Sequence, residues 1–193
     1  VGVSVLGTAF GIDSPVTVIQ MLWVNIIMDT LGSLAFAGEP ALEEYMTHPP
    51  IGRGEHILTR RMVWQIILTG GYAVALSMFF LLSKDLRHFF GGSETYYMTL
   101  FFAMFIFMGI GIAMCTRTER INIFANISKN KAFAVIMPAV AAVQLLIIYF
   151  GGDVFRCVPL APAELLMCSL FAFTVIPADS IRKSVRAIAS RQK

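Results

Sequence analysis

Five stretches of about 20 predominantly apolar residues dominate this chain, and that is the length an α-helix needs to cross a hydrocarbon core roughly 30 Å thick. They run over residues 16–38, 62–82, 96–115, 132–150 and 161–178. In lipid such runs must be helical, because every backbone N–H and C=O needs a partner within the segment. Composition decides between a bilayer and a buried soluble core. Hydrophobic residues make up 57% of the chain and charged ones 14%, whereas soluble domains carry about 25% charged residues. The mean hydropathy is +0.74. A soluble domain of 193 residues leaves about a third of its unfolded surface in water, too much for so apolar a chain. The expected fold is an all-α membrane protein, a bundle of five transmembrane helices. Residues 1–11, VGVSVLGTAFG, lack the basic flank of a signal peptide. They read as the end of a preceding transmembrane helix that begins upstream, which makes the chain a fragment.

Five spans place successive loops on alternate sides, so the distribution of Lys and Arg orients them. The 39–61 loop, the 116–131 loop and the C-terminal stretch SIRKSVRAIASRQK hold twelve of the 15 basic residues; the other side holds only Lys84, Arg87 and Arg156. The basic side, C-terminus included, is expected to face the cytoplasm. Trp64, Tyr96 and Tyr97 fall at span mouths, where amphipathic rings favour the headgroup zone. The expected partner is the lipid bilayer; nothing in the sequence suggests nucleic acid. Cys115, Cys157 and Cys168 have no ligand-like spacing and read as small packing residues.

Within the first span, MLWVNIIMDTLGSLAFAGEP places Asn25 and Asp29 four residues apart, on one helical face. Asp29 lies fourteen residues past Pro15, about 21 Å along a helix and beyond the midpoint of the core. A carboxylate there costs at least about 2.5–3.5 kcal/mol, so it lines a pathway, pairs with a cation or relays a proton. It can also stay protonated and hydrogen-bond a neighbouring helix, with Asn25 as interhelical glue. A carboxylate and an amide carbonyl are hard oxygen donors that suit calcium, magnesium or manganese. Calcium takes six to eight oxygens, so other helices, or backbone freed by unwinding near Gly32, must supply the rest. Asp13, Asp153 and Glu164 lie in or near the outer loops, and Glu39, Glu43 and Glu44 in the basic-side loop; all read as solvated. His48, His56 and His88 lack metal-ligand spacing. Gln65 and Gln144 read as helix–helix hydrogen-bonders, and Gly70, Gly71, Gly109 and Gly111 as small residues for close helix packing.

VIQMLWVNIIMDTLGSLAFAGEP resembles the sixth transmembrane helix of P-type calcium-transporting ATPases, where Gln-x-Leu-Trp-Val-Asn-x-x-x-Asp leads to Glu-Pro. The similarity continues in order through PPIGR, LTRRM, NIF (Asn122 to Phe124) and QLLIIYFGGDVFRCVPL. The resemblance implies that residues 12–193 are the C-terminal cation-transporting transmembrane domain of such a pump, helices six to ten, with residues 1–11 ending the fifth. It also implies that Asn25 and Asp29 bind the transported calcium ion. Met28 stands where two-site pumps have Thr, as in the plasma-membrane type, for which one calcium per cycle is expected in the plasma or cell membrane. The third span ends MGIGIAMC, without the polar residues of the family's eighth helix, and receives no ligand. The family's Asp-Lys-Thr-Gly-Thr, Thr-Gly-Glu and Gly-Asp-Gly motifs do not occur in this sequence. ATP and magnesium are therefore expected to act only through domains absent from this chain, with the rest of the parent pump as its partner. Three alternatives stand beside this reading: a P-type pump for magnesium, manganese or sodium, a proton-coupled secondary carrier, and a non-transporting structural subunit.

Overall fold

The structure, a computed structural model, describes residues 2–10, 16–39, 59–118, 122–125 and 127–191; the side chains of Met28, Asp29, Arg61, Ala187 and residues 189–191 are outside the described set. Among the described residues, five helical spans are long and apolar enough to cross a membrane. They follow a short helix α1 (Gly2–Ala9). The first span is α2 (Val18–Ala37). Next come α3 (Arg60–Leu82), the seven-residue α4 (Lys84–Phe90), α5 (Glu94–Arg117) and α6 (Lys131–Phe150). The last span is α7 (Pro162–Ala172) continued by α8 (Val175–Arg191).

The helix starts follow from local sequence. Side-chain oxygens of Thr59, Ser83, Ser93 and Asn130 accept from the backbone N–H three residues on, satisfying donors that a helix N-terminus leaves free. Pro162 opens α7 at its first turn, where its missing N–H and fixed φ cost nothing. The break between α7 and α8 has a cause as well. Pro177 has no N–H to offer the Phe173 carbonyl and its ring crowds that oxygen. The Phe173 carbonyl accepts instead from Ile176 N at 2.9 Å.

The third span, α5, is the hub. It is 72% buried across its most apolar stretch, against 22–33% for the other four spans. It packs on α3, α6, α7 and α8, while α1 packs on α3 and α2 on α6. Phe80, Tyr97, Leu100, Phe101, Phe102 and Met104 are all at or below 1% exposure, and Phe80 stacks on Tyr97 at 5.0 Å between centroids. Tyr97, in the first turn of α5, turns into the bundle and not outward. Its hydroxyl donates to the Phe80 carbonyl inside the bundle. Tyr96 stays half-buried and donates to Glu164, so Glu164 is a helix–helix partner and not a solvated edge residue. The three cysteines are buried and free.

The last span extends past the predicted end at Ala178. Its helix runs on to Arg191, because Asp179 and Lys183, each 5% exposed, are packed against the bundle. Lys183 Nζ lies 2.8 Å from Asp179 Oδ2 and donates to the Cys115 carbonyl at 2.8 Å, one of the carbonyls that the end of α5 leaves without an intrahelical partner. Arg182 Nε bonds Asp179 Oδ1 at 2.7 Å. The basic stretch is thus partly interior, not a simple flank.

Of the glycines assigned to close packing, Gly111 has that role: a Cβ there would lie 2.8 Å from Val175 Cγ1. Gly70 and Gly71 are exposed and would meet nothing within 4 Å. Gly111→Val should therefore destabilise the bundle by about 1–3 kcal/mol through overpacking. Gly70→Ala should be neutral or stabilising by up to about 1 kcal/mol. Thermal unfolding of the two variants in detergent separates them, and equal shifts would refute the contrast.

Candidate functional site

The N-terminal half of α2 begins with a reciprocal cap. Thr17 Oγ1 accepts from Gln20 N at 3.2 Å, and Thr17 N donates to Gln20 Oε1 at 3.0 Å. Gln20 is 3% exposed and its Nε2 donates to the Phe155 carbonyl at 2.7 Å, reaching the turn that follows α6. One turn on, Trp23 Nε1 donates to Gln144 Oε1 at 3.3 Å, and its ring meets Phe155 edge-on at 6.5 Å. Gln144 is a helix–helix bonder, as predicted. Cys157, beside Gln20 and outside the spans, has its thiol pushed up by burial, against the opposing hydrogen bonds from Gln20 and Thr99. It stays a neutral packing group.

The C-terminal end of α2 is held as firmly. Asn130 is fully buried and uses its whole amide. Its Nδ2 donates to the Ala35 carbonyl at 3.0 Å and to Glu39 Oε2 at 2.7 Å, while its Oδ1 accepts from Phe133 N at 2.9 Å. The Ala35 carbonyl is in the last turn of α2, where no intrahelical donor is available. Arg117, with 1% side-chain exposure, pairs with Glu39 Oε1 at 3.0 Å. It also donates to the carbonyls of Ile123 and Ala125 and lies 5.3 Å over the Phe133 ring. Gly38 belongs to this contact, since a Cβ would come within 2.8 Å of both Ala132 Cβ and Asn130 Oδ1. Glu39 is therefore an interior ion-pair partner, not the solvated loop residue that its position suggested.

Between these two fixed ends the helix changes type. Val18–Asn25 is α-helical, Ile26–Gly32 is a π-helix, and Ser33–Ala37 is α-helical again. A π turn is closed by i→i+5 bonds, holds one residue more than an α turn, and is concentrated at functional sites. Unwinding was expected near Gly32; the backbone widens instead. Asn25 stands at the junction and is exposed. Asp29 lies within the π segment; its side chain is outside the described residues. The backbone brings the two positions to one widened turn in mid-span.

Among the described residues no cluster of three or more His, Cys, Asp or Glu is placed to hold a metal. His88 is exposed on α4 and Asp153 is exposed. Asp13, Glu43, Glu44, His48 and His56 lie outside the described residues. Sequence reasoning missed Asn130 and Arg117 as organisers of the site. The signal for Arg117 was present, as the only charged residue in the last turn of a 24-residue apolar helix.

Arg117→Met would leave the partly exposed Glu39 with only its bond from Asn130 and should cost about 1–3 kcal/mol. Asn130→Ala, which orphans the Ala35 carbonyl, should cost about 1–3 kcal/mol. Thermal unfolding of the purified variants checks both, and a melting point unchanged by Arg117→Met would remove the ion pair from the account.

The profile of the family described as "Cation transporting ATPase, C-terminus" matches residues 13–185. "Probable calcium-transporting ATPase 6, plasma membrane-type" of Oryza sativa subsp. japonica is 37% identical over 162 residues, which is 82% of this chain and 16% of the relative. "Putative calcium-transporting ATPase 11, plasma membrane-type" of Arabidopsis thaliana is 36% identical over 161 residues, again 82% and 16%. "Plasma membrane calcium-transporting ATPase 3" of Homo sapiens is 32% identical over 177 residues, 86% of this chain and 14% of the relative. The chain thus spans 14–16% of the length of these relatives.

Proposed function

This chain belongs to the family of cation-transporting ATPase C-termini, and from that premise we propose that it supplies part of the intramembrane calcium site of an ATP-driven pump, with Asn25 and Asp29 as ligands. The observation that carries the reading is the π-helical turn Ile26–Gly32 holding Asp29 in mid-span. The plasma-membrane-type names of its relatives support calcium as the transported ion and a plasma or cell membrane as its location.

The donor set fits a hard cation, though not alone. Calcium needs six to eight oxygens, and two side chains leave most of that shell to be filled. Only 25% of the apolar stretch of α2 is buried, so most of that helix remains open to further helices. In the full pump those helices would bring the missing oxygens. ATP would act on domains outside this chain, and the movement they impose would shift α2 against its neighbours. The two pinned ends would keep α2 in register while the π segment between them rearranges, exposing Asn25 and Asp29 first to the cytoplasm and then to the outside. The excess of Lys and Arg in the 39–61 and 116–131 loops supports a cytoplasmic placement of that side.

ATP-driven calcium uptake into inverted vesicles carrying the full-length parent tests the reading. Asp29→Asn should abolish uptake, and Asn25→Ala should weaken apparent calcium affinity by about tenfold, which is about 1.4 kcal/mol. Uptake unaffected by Asp29→Asn would leave Asp29 a structural hydrogen-bonder. A parent that drives another divalent ion but not calcium would keep the pump and replace its cargo.

A further inference from the structure

The ties described for α2 run to α6 and to the segments that flank it. Gln20 reaches the Phe155 carbonyl and Trp23 reaches Gln144, both ahead of the π segment Ile26–Gly32. Beyond that segment the tie is Asn130. Its Oδ1 caps the first turn of α6 through Phe133 N at 2.9 Å, and its Nδ2 holds the Ala35 carbonyl at 3.0 Å. One buried residue thus joins the N-terminus of α6 to the last turn of α2. The contact has no slack, because a Cβ on Gly38 would lie 2.8 Å from Asn130 Oδ1.

A π turn holds one residue more than an α turn. Closing it to an α turn advances the helix on one side by one residue, about 100° of rotation and 1.5 Å of rise. Ala35 is three residues past Gly32, where the π segment ends, and would carry that rotation in full. Both acceptors of Asn130 Nδ2, the Ala35 carbonyl and Glu39, lie beyond the turn. They would move off together and leave a fully buried amide N–H without a partner, which is costly. Rotating the N-terminal side instead would break the bonds of Gln20 and Trp23. The extra residue is therefore locked from both sides.

We propose that Asn130 is a positioning residue for the transported ion, one that locks the π turn and thereby fixes how Asn25 and Asp29 stand to each other. The inference rests on the reading of those two residues as ligands. The Asn130 amide is spent on protein groups, so it acts through α2 and not as a ligand itself. It makes the 116–131 loop a control on ion affinity, applied at Ala35, six residues past Asp29 and about 9 Å along the helix.

ATP-driven calcium uptake by the full-length parent, with the half-saturating calcium concentration read apart from the maximal rate, tests this. Asn130→Ala should raise that concentration about tenfold, the scale on which residues remote from a ligand tune its affinity. Gly38→Ala wedges the same contact without removing a polar group and should raise it too. Gly111→Val overpacks the contact with Val175, away from α2; it should lower the amount of active pump and leave half-saturation in place. If Asn130→Ala fails to fold, Gly38→Ala decides alone. Half-saturation unmoved by these two variants, in a parent that takes up calcium, makes Asn130 a packing residue and overturns the proposal. An equal shift in Gly111→Val overturns it as well, since general loosening then accounts for the effect. A parent that takes up no calcium, or takes it up unchanged with Asp29→Asn, fails the ligand reading itself and the proposal with it.

Discussion

The guanidinium of Arg117, almost wholly withdrawn from solvent, is the contact on which the rest of this bundle depends. It projects from the last turn of α5, where unpaired carbonyls make the helix end negative and a cation favourable. Through Glu39 it holds the exit of α2, through two carbonyls it holds the Asn122–Ala125 turn, and through Phe133 it reaches α6. Lys183 does the same on the opposite flank, donating to the Cys115 carbonyl while paired with Asp179. Two buried cations thus close the same end of the most buried helix. Buried ion pairs are weak evidence for net stability, because desolvation offsets most of their attraction. Their value here is positional, since each cation has one geometry that satisfies its partners and that geometry sets where α2 and α8 meet α5.

With its ends set in this way, α2 is free to differ only in its middle. Capping, the Gln20–Phe155 bond and the Trp23–Gln144 bond hold one side of the π segment, and Asn130 holds the other. Packed interfaces switch between discrete arrangements and do not stretch continuously. A π turn between two clamps is one such discrete element. A helix pinned only at one end would leave that turn free to swing.

Much of this was legible in the sequence. The five spans follow from run length and composition, and the Asn25–Asp29 spacing from helical periodicity. Gln144 could be recognised because an amide in an apolar run needs a partner helix. What was not legible shares one cause: a charged or polar residue near a span end looks the same whether it leaves the bundle or turns into it. Glu39, Glu164, Tyr97 and Lys183 each lie at such an edge. Periodicity says which face a residue occupies but not which neighbour covers that face. For Tyr97 the decision rested on Phe80, seventeen residues away. For Lys183 it rested on a carbonyl sixty-eight residues away. Gly70 and Gly71 show the converse, small residues on a face that no described helix covers.

That uneven coverage bears on the proposed ion site. A carboxylate at mid-membrane carries an insertion cost of at least about 2.5–3.5 kcal/mol that the surrounding protein must offset. Among the described residues, the polar groups contacting α2 are committed, Gln20 to Phe155, Trp23 to Gln144 Oε1, and Asn130 to Ala35 and Glu39, except the Gln144 Nε2 amide, which is buried without a partner. None is recorded as a donor to Asn25 at the mouth of the π turn. The offset therefore has to come from the open face of α2, from a proton, or from a cation with its remaining oxygens on other helices. A proton would neutralise Asp29 but would make no use of an amide carbonyl one turn away. A divalent ion uses both oxygens and requires more, so its affinity becomes a joint property of α2 and whatever packs on its open face. In the proposed pump that dependence is the coupling: a small displacement between α2 and its missing neighbours changes the coordination number, and with it the side from which the ion is held.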